Sequence, residues 1–109
     1  MSIELPAPIA SYIDAENGGE TAALARCFVA NAVVKDEGRT IVGLVAIQQW
    51  MAETRAKYQH HLQPRHCVET DAGAVIVTNR LSGSFPGSPI DLEFVFRLDR
   101  DKITQLDIR

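Results

Sequence analysis

The sequence predicts an α+β fold in which three helices, N-terminal to most of the strands, pack on a strongly curved antiparallel sheet and leave a cone-shaped cavity. Apolar residues recur at helical spacing in much of the first half of the chain, and from Tyr58 onward they alternate with polar residues, which is the period of a strand. Short turns separate the later strands, as in an antiparallel meander. Pro64 interrupts the first long strand and predicts a bulge or a sheet edge, and a bulge would let the sheet bend.

The first predicted helix opens at Pro6-Ala7-Pro8, because proline is tolerated in the first helical turn. It ends at Asn17-Gly18-Gly19, since glycine readily adopts the left-handed conformation of a helix C-terminus. Its inward stripe is formed by residues three or four positions apart, namely Ile9, Tyr12, Ile13 and Glu16.

Two further helices are predicted. The second runs from about Glu20 to Val29, and its buried side carries Leu24, Cys27 and Phe28. The third covers about Leu44 to Lys57, and one stripe of it carries Ile47, Trp50, Met51 and Thr54.

Two short extended segments, Ala32–Lys35 and Thr40–Val42, are predicted between the second and third helices, with a turn at Glu37-Gly38-Arg39. The four later strands are Gln59–Thr70, Ala74–Phe85, Ile90–Asp99 and Ile103–Ile108. The alternation within Ile90–Asp99 places Phe94 and Phe96 on the floor of the cavity. Apolar residues expected on the outer sheet face are Ile76, Val95 and Ile103.

Length and charge limit the function classes. The 109 residues predict one domain over 1–109, and 14 acidic against 11 basic residues give a net charge of −3. Without a Lys/Arg-rich stretch, this charge argues against nucleic acid or an anionic membrane as a partner. The chain has no apolar run of about 18 residues that could span a membrane, and the segment from Met1 to Pro6 lacks the features of a signal peptide. Cys27 and Cys67 are isolated, which favours two reduced thiols over one disulfide and predicts a cytoplasmic location.

The predicted fold brings Asp36, Tyr12 and Trp50 to one apolar space. A carboxylate and a phenol facing such a space are the groups needed for proton transfer next to a carbonyl. Two alternatives stand beside this interpretation. Asp36 would otherwise be a solvated turn carboxylate paired with Arg39 or Lys35, and Tyr12 a core residue bonded to a backbone carbonyl.

Other residues are expected to line the cavity and contact a substrate: Trp50, Phe28, Met51, His61, Phe94 and Phe96. His60 and His61 are adjacent on a strand and point to opposite faces, so a shared metal ion is disfavoured and no metal site is predicted. One histidine at the cavity would instead serve as an acid–base partner of Asp36.

The order and spacing of these elements resemble the NTF2-like superfamily over essentially the whole chain, and more closely its SnoaL-like, ketosteroid isomerase-like branch. The resemblance is carried by five segments: Tyr12–Gly19, Leu24–Phe28, Ala32–Arg39, Gly43 with Ala46–Trp50, and Ser82–Pro89. The superfamily contains ketosteroid isomerases, polyketide cyclases, dehydratases, epoxide hydrolases and members without a known reaction, so the fold does not settle the function.

The resemblance implies roles for two residues. Asp36 stands at the position of the ketosteroid isomerase general base, and Tyr12 at that of the oxyanion-hole tyrosine. The position of the second oxyanion donor, a carboxylic acid, holds Phe94, which cannot donate a hydrogen bond. Because loss of one such donor typically costs about 10² to 10³ in rate, ketosteroid isomerase activity itself is not expected.

Two functions therefore remain open. The first is a cofactor-independent isomerase, cyclase or dehydratase for a small hydrophobic carbonyl compound. The second is a non-catalytic module for small-ligand binding or dimerisation. The resemblance also implies a homodimer formed through the outer sheet face.

Overall fold

A computed structural model describes residues 3–109. The segment predicted to lack the features of a signal peptide includes Met1 and Ser2, which lie outside the described residues. The helices are α1 (Ala7–Gly18), a 3₁₀ helix (Thr21–Arg26) and α2 (Leu44–Tyr58). The strands are β1 (Phe28–Asp36), β2 (Arg39–Val42), β3 (His61–Glu69), β4 (Val75–Ser82), β5 (Ile90–Asp99) and β6 (Lys102–Ile108). The predicted α+β fold class is confirmed.

The six strands form one sheet in the order β2-β1-β6-β5-β4-β3. Strands β3 to β6 are the predicted antiparallel meander. However, β1 and β6 pair in parallel, so the sheet is mixed rather than wholly antiparallel. This pair joins two strands far apart in sequence, and the periodicity of either strand carries no information about their relative direction.

The bulge predicted at Pro64 is present. The pairing register of β3 with β4 shifts between Pro64 and His66, leaving Arg65 as the extra residue. Strand β3 also lies at the edge of the sheet, where proline's missing N–H costs no hydrogen bond on the open side. Both structural settings that the proline suggested therefore occur together.

The second predicted helix, about Glu20–Val29, is present but shorter than predicted. It is a six-residue 3₁₀ helix, and β1 begins at Phe28, four residues before the predicted strand at Ala32. Phe28 pairs with Ile103 of β6, and the Ile103 amide donates to the Cys27 carbonyl at 2.7 Å. Tertiary pairing with β6 thus takes these residues out of the helix, although Cys27 and Phe28 are buried as expected.

The outer sheet face differs from the prediction at one position. Ile103 is fully buried in the core because its pairing partner is the buried Phe28. Ile76 and Val95 are half-buried, and they alternate with core residues on their strands, which places them on the outer face. None of the helices in the described part of the chain is long and apolar enough to cross a bilayer.

Candidate functional site

An inner cavity of about 70 Å³ lies between α1, α2, the end of β1 and the inner face of the sheet. Apolar side chains from the strands form much of its wall. The polar and aromatic residues of the wall are Tyr12, Glu16, Asp36, Glu37, Trp50, Thr54, Tyr58, His60 and Phe94.

Four of the predicted site residues line this cavity, namely Tyr12, Asp36, Trp50 and Phe94. Three others do not, because Phe28, Met51 and Phe96 are fully buried in the core beyond the cavity wall. Phe28 and Phe96 pack edge-on against the Tyr12 ring, with ring centroids 5.6 Å and 5.7 Å away. Their contribution is to hold Tyr12 in place.

The histidine expected at the cavity was assigned to the wrong position. His61 is exposed, whereas its neighbour His60 is buried and lines the cavity. Adjacent residues in extended backbone point to opposite faces, so an error of one residue exchanges their environments. Periodicity alone could not decide which of the two faces inward.

Asp36 ends β1, and α2 supplies its hydrogen-bond donor. Trp50 Nε1 donates to Asp36 Oδ2 at 3.1 Å. Partial burial raises the pKa of the Asp36 carboxyl above its ordinary value of 3.8, although the Trp50 hydrogen bond opposes this change. The nearby Glu37 and Glu16 charges raise the pKa further, and Arg39 lowers it.

Sequence reasoning missed Glu16 as a site residue. Its side chain is 2% exposed and accepts a hydrogen bond from the Tyr12 hydroxyl at Oε2. Its other oxygen, Oε1, lies 3.1 Å from His60 Nε2. The signal was present in the sequence, because a carboxylate four residues after Tyr12 on an inward stripe must be buried beside it.

Tyr12 is therefore not a free hydrogen-bond donor. Its single O–H proton is directed at Glu16, so its oxygen presents lone pairs to the rest of the site. Burial, followed by the Glu16 charge, raises the pKa of the Tyr12 hydroxyl well above 10.0. The hydroxyl stays protonated near neutral pH.

The end of α1 that carries Glu16 is anchored from two sides. The Asn17 side chain donates to the Leu62 carbonyl at 2.9 Å and accepts from the Leu62 amide at 2.8 Å, which ties α1 to β3. Arg55 of α2 donates to the Glu16 carbonyl. These bonds restrict how far Glu16 and Tyr12 can move relative to the sheet.

A second, wider space of about 360 Å³, here called the vestibule, adjoins the inner cavity. Glu37, Tyr58, Leu81 and Leu92 line both spaces. The remainder of the vestibule wall comes from the segment after β4 and the start of β5, namely Phe85, Pro86 and Ile90. A ligand reaching the inner cavity through the vestibule would pass the Tyr58 hydroxyl, which donates to Glu37 Oε1 at 3.2 Å.

The helices, the mixed sheet and the cavity between them are the features of the class of NTF2-like proteins. Within that class the chain belongs to the SnoaL-like domain family, which matches residues 9–106. No curated protein gives a significant sequence match.

Solved structures agree with this assignment. A putative polyketide cyclase from Sinorhizobium meliloti is 32% identical with a TM-score of 0.91, and the match covers 96% of this chain and 95% of that one. A protein from Catenulispora acidiphila with a ketosteroid isomerase-like fold, in complex with trimethylamine, is 21% identical with a TM-score of 0.82 and coverage of 97% and 86%. An epoxide hydrolase/cyclase-like enzyme with a role in pyran ring formation in the polyether salinomycin is 21% identical, with a TM-score of 0.77 and coverage of 93% and 85%.

Proposed function

We propose that the protein is a cofactor-independent acid–base enzyme, of isomerase or lyase type, that acts on a small and largely apolar carbonyl compound. One observation carries the proposal. The half-buried Asp36 carboxylate lies in the wall of the inner cavity, where partial burial raises its pKa. A carboxylate with a raised pKa is a stronger base, and it is better matched to proton abstraction near neutral pH.

In the proposed reaction Asp36 takes a proton from the carbon next to the carbonyl. The C–H electron pair forms a carbon–carbon double bond, and the carbonyl π electrons move to oxygen. In a β,γ-unsaturated substrate the oxyanion electrons then re-form the carbonyl, the carbon–carbon double bond moves to the α,β position, and the γ carbon takes the proton from Asp36, which completes an isomerisation. In D₂O the proton held by Asp36 exchanges with solvent before it is returned, so deuterium enters the compound. Phe94 and the apolar strand residues of the cavity wall exclude water, which keeps Asp36 poorly solvated and reactive.

The developing oxyanion needs a donor, and Tyr12 can supply one only if Glu16 carries a proton. A protonated Glu16 would donate to the Tyr12 oxygen, and the Tyr12 O–H would then be free to turn to the substrate. The proposed active form therefore holds one proton on Glu16. His60, which is hydrogen-bonded to Glu16, is the group through which that proton would exchange.

The comparisons support the reaction class. The relative that is 32% identical is described as a putative polyketide cyclase, and ring closure by an aldol-type addition would use the same proton abstraction that is proposed for Asp36. The other two structural matches are 21% identical, so they support the fold alone.

Solvent deuterium incorporation tests the proposal without knowledge of the natural substrate. Small cyclic ketones, enones and lactones are incubated with the protein in D₂O, and exchange next to the carbonyl is followed by NMR. We expect exchange with at least one compound, and a loss of about 10² or more for Asp36→Asn. Asp91→Asn is the matched control, because Asp91 lies on the outer sheet face with Arg80 and should leave exchange unchanged. Equal exchange by wild type and Asp36→Asn would refute the base role.

A second candidate function is non-catalytic binding of a small ligand. The observation that favours it is the commitment of the Tyr12 donor to Glu16, which leaves a carbonyl oxygen without its expected partner. The Catenulispora protein of the same fold holds trimethylamine, a small molecule of four heavy atoms. Saturable binding of a ligand without any deuterium exchange would favour this alternative.

We also propose a two-fold homodimer through the outer sheet face. Val68, Ile76 and Val95 are paired in one row across β3, β4 and β5, and Val68 is 43% exposed. An exposed apolar row on a sheet is typical of a surface covered by a partner.

The proposed location is the cytoplasm, where the unpaired Cys27 and Cys67 would stay reduced. Recovery of the protein from another cell fraction would contradict this location.

A further inference from the structure

The inner cavity has an unusual pattern of hydrogen bonds in its wall. Three aromatic donors each contact a carboxylate: Tyr12 donates to Glu16, Trp50 to Asp36 and Tyr58 to Glu37. Both members of each pair line the cavity. In this arrangement the Tyr12, Trp50 and Tyr58 hydrogens are already donated to carboxylates.

The ionisable side chains that line the cavity are mostly acidic. Three carboxylates line it, and no lysine or arginine of the described residues does. Three cations near the cavity are not part of its wall. Arg55 donates to the backbone carbonyl of Glu16, Lys57 Nζ is 5.0 Å from the Tyr58 ring centroid on an exposed side chain, and exposed Arg39 contacts Glu53 at 3.9 Å. His60 is the one basic group in the described wall, and its Nε2 is directed at Glu16.

The remaining hydrogen-bonding capacity is mostly that of acceptors. Asp36 Oδ1 and Glu37 Oε2 have no hydrogen-bond donor among the described residues, whereas their other oxygens accept from Trp50 and Tyr58. His60 is nine-tenths buried, and its Nδ1 has no partner in the described part of the chain. With Nε2–H donating to Glu16, a neutral His60 leaves Nδ1 as one more acceptor.

The cavity is also small. Its volume of about 70 Å³ is well below the roughly 300–1,000 Å³ of pockets for drug-sized ligands. A group of a few heavy atoms fits, and any longer ligand would extend into the apolar vestibule beyond Tyr58. Aromatic faces with nearby carboxylates are the surroundings in which proteins bind alkylated ammonium groups, through cation–π attraction and charge.

We propose that the inner cavity is a binding site for a small alkylated ammonium group, with Tyr12, Trp50 and Phe94 as its aromatic walls and Asp36 as its counter-ion. The site accepts the group as a free amine in its protonated form or as the head of a longer molecule whose apolar part occupies the vestibule. This inference goes beyond the proposed reaction and needs only the cavity. Failure of Asp36 as a catalytic base would leave it intact.

The test compares trimethylammonium chloride with tert-butanol, a neutral compound of similar shape, at pH 7 and 0.15 M salt. Binding is followed by NMR through the indole N–H of Trp50, the single tryptophan of the chain. We expect trimethylammonium to bind at least tenfold more tightly than tert-butanol and to shift the Trp50 signal. Equal affinities, or shifts confined to residues away from the inner cavity, would overturn the proposal.

Two variants identify the counter-ion. Asp36→Asn keeps an acceptor for Trp50 and removes the charge, so we expect at least tenfold weaker trimethylammonium binding and little change for tert-butanol. Asp91→Asn removes an exposed carboxylate of the outer face and should leave both affinities unchanged. The same loss in both variants would show nonspecific attraction to the acidic protein and refute the site. Because the wild-type comparison uses no variant, the proposal stays testable if Asp36→Asn fails to fold.

Discussion

The indole of Trp50 donates a 3.1 Å hydrogen bond to Asp36 and so connects the middle of α2 to the last residue of β1. The bond stabilises the ionised carboxylate, whereas burial of the same carboxylate opposes ionisation more strongly. The basicity of Asp36 is therefore set by two opposing effects that can be separated by substitution.

Replacement of Trp50 by phenylalanine removes the hydrogen bond and keeps an aromatic wall. We expect the pKa of Asp36 to rise further, because burial raises this pKa and the Trp50 hydrogen bond that lowers it would be absent. The measurement is an NMR titration of the Asp36 carboxyl carbon in both proteins, with Asp91 as the internal control. A lower Asp36 pKa in the variant would show that the indole bond does not stabilise the charge.

Asp36 also predicts a pH dependence of stability. Its folded-state pKa lies above 3.8, so its contribution to stability is present below the unfolded pKa and is lost as pH rises through the folded pKa. Asp36→Asn, which cannot ionise, should therefore raise Tm by a few degrees at pH 7. The difference should vanish as the pH is lowered toward 3.8.

The control variant Asp91→Asn should change the pH dependence of stability in the opposite direction. Its hydrogen bond with Arg80 lowers the pKa of Asp91, so Asp91 contributes stability above its unfolded pKa and loses that contribution in acid. Asp91→Asn should leave Tm unchanged or slightly lower at pH 7, because exposed pairs contribute little. Thermal melts of wild type, Asp36→Asn and Asp91→Asn across pH 3–8 test both predictions. A lower Tm for Asp36→Asn than for wild type at pH 7 would show that the ionised Asp36 carboxylate does not destabilise the fold.

What the sequence could predict was local. Helix α2 and the end of α1 follow from spacing and from glycine, and the Pro64 bulge follows from proline's missing N–H. What it could not predict depends on partners distant in the chain. Phe28 leaves the predicted helix because β6 pairs with it, and β6 is about seventy-five residues further along.

The candidate site shows the same limit. The positions of Asp36 at a strand end and Tyr12 on an inward stripe were accessible from pattern and resemblance. The hydrogen bond from Tyr12 to Glu16 was not inferred, although the two lie on one stripe, because only the packed structure shows that no other partner takes the hydroxyl. The choice between His60 and His61 required the exact start of β3.

The contact between Tyr12 and Glu16 should be energetically coupled. Tyr12→Phe removes a donor from a buried carboxylate, and we expect a loss of about 1–3 kcal/mol in the free energy of unfolding. In a double-mutant cycle with Glu16→Gln, the coupling energy should be about 0.5–3 kcal/mol. Urea denaturation measures all four proteins, and additive losses would mean that the hydrogen bond contributes nothing beyond packing.

The proposed dimer predicts a change of assembly for one substitution. Ile76 lies in the centre of the outer apolar row, so Ile76→Lys should separate the dimer by burying a charge in the interface. Analytical ultracentrifugation at micromolar concentration measures the mass of each protein. Thr78→Lys, on the same strand face, tests how far the interface extends along β4, because it separates the dimer only if Thr78 is also covered by the partner. A wild-type protein that sediments as a monomer would refute the dimer.

Asn79 is the least expected residue of the core. It is 0% exposed on the inner face of β4, and neither Oδ1 nor Nδ2 has a hydrogen-bond partner among the described residues. A buried amide without partners is destabilising by about 1–3 kcal/mol relative to an apolar residue of similar shape. Asn79→Val should therefore raise the free energy of unfolding by about that amount, since valine is also favoured in strands.

The control for Asn79→Val is Thr78→Val on the outward side of the same strand, where we expect a change within about 0.5 kcal/mol. Urea denaturation of the three proteins gives the comparison. A loss of stability in Asn79→Val would mean that the amide is satisfied in solution, for which an ordered water is the simplest partner. Because Asn79 pairs with Leu92 of the cavity wall, that outcome would extend the polar part of the site from α1 into the sheet.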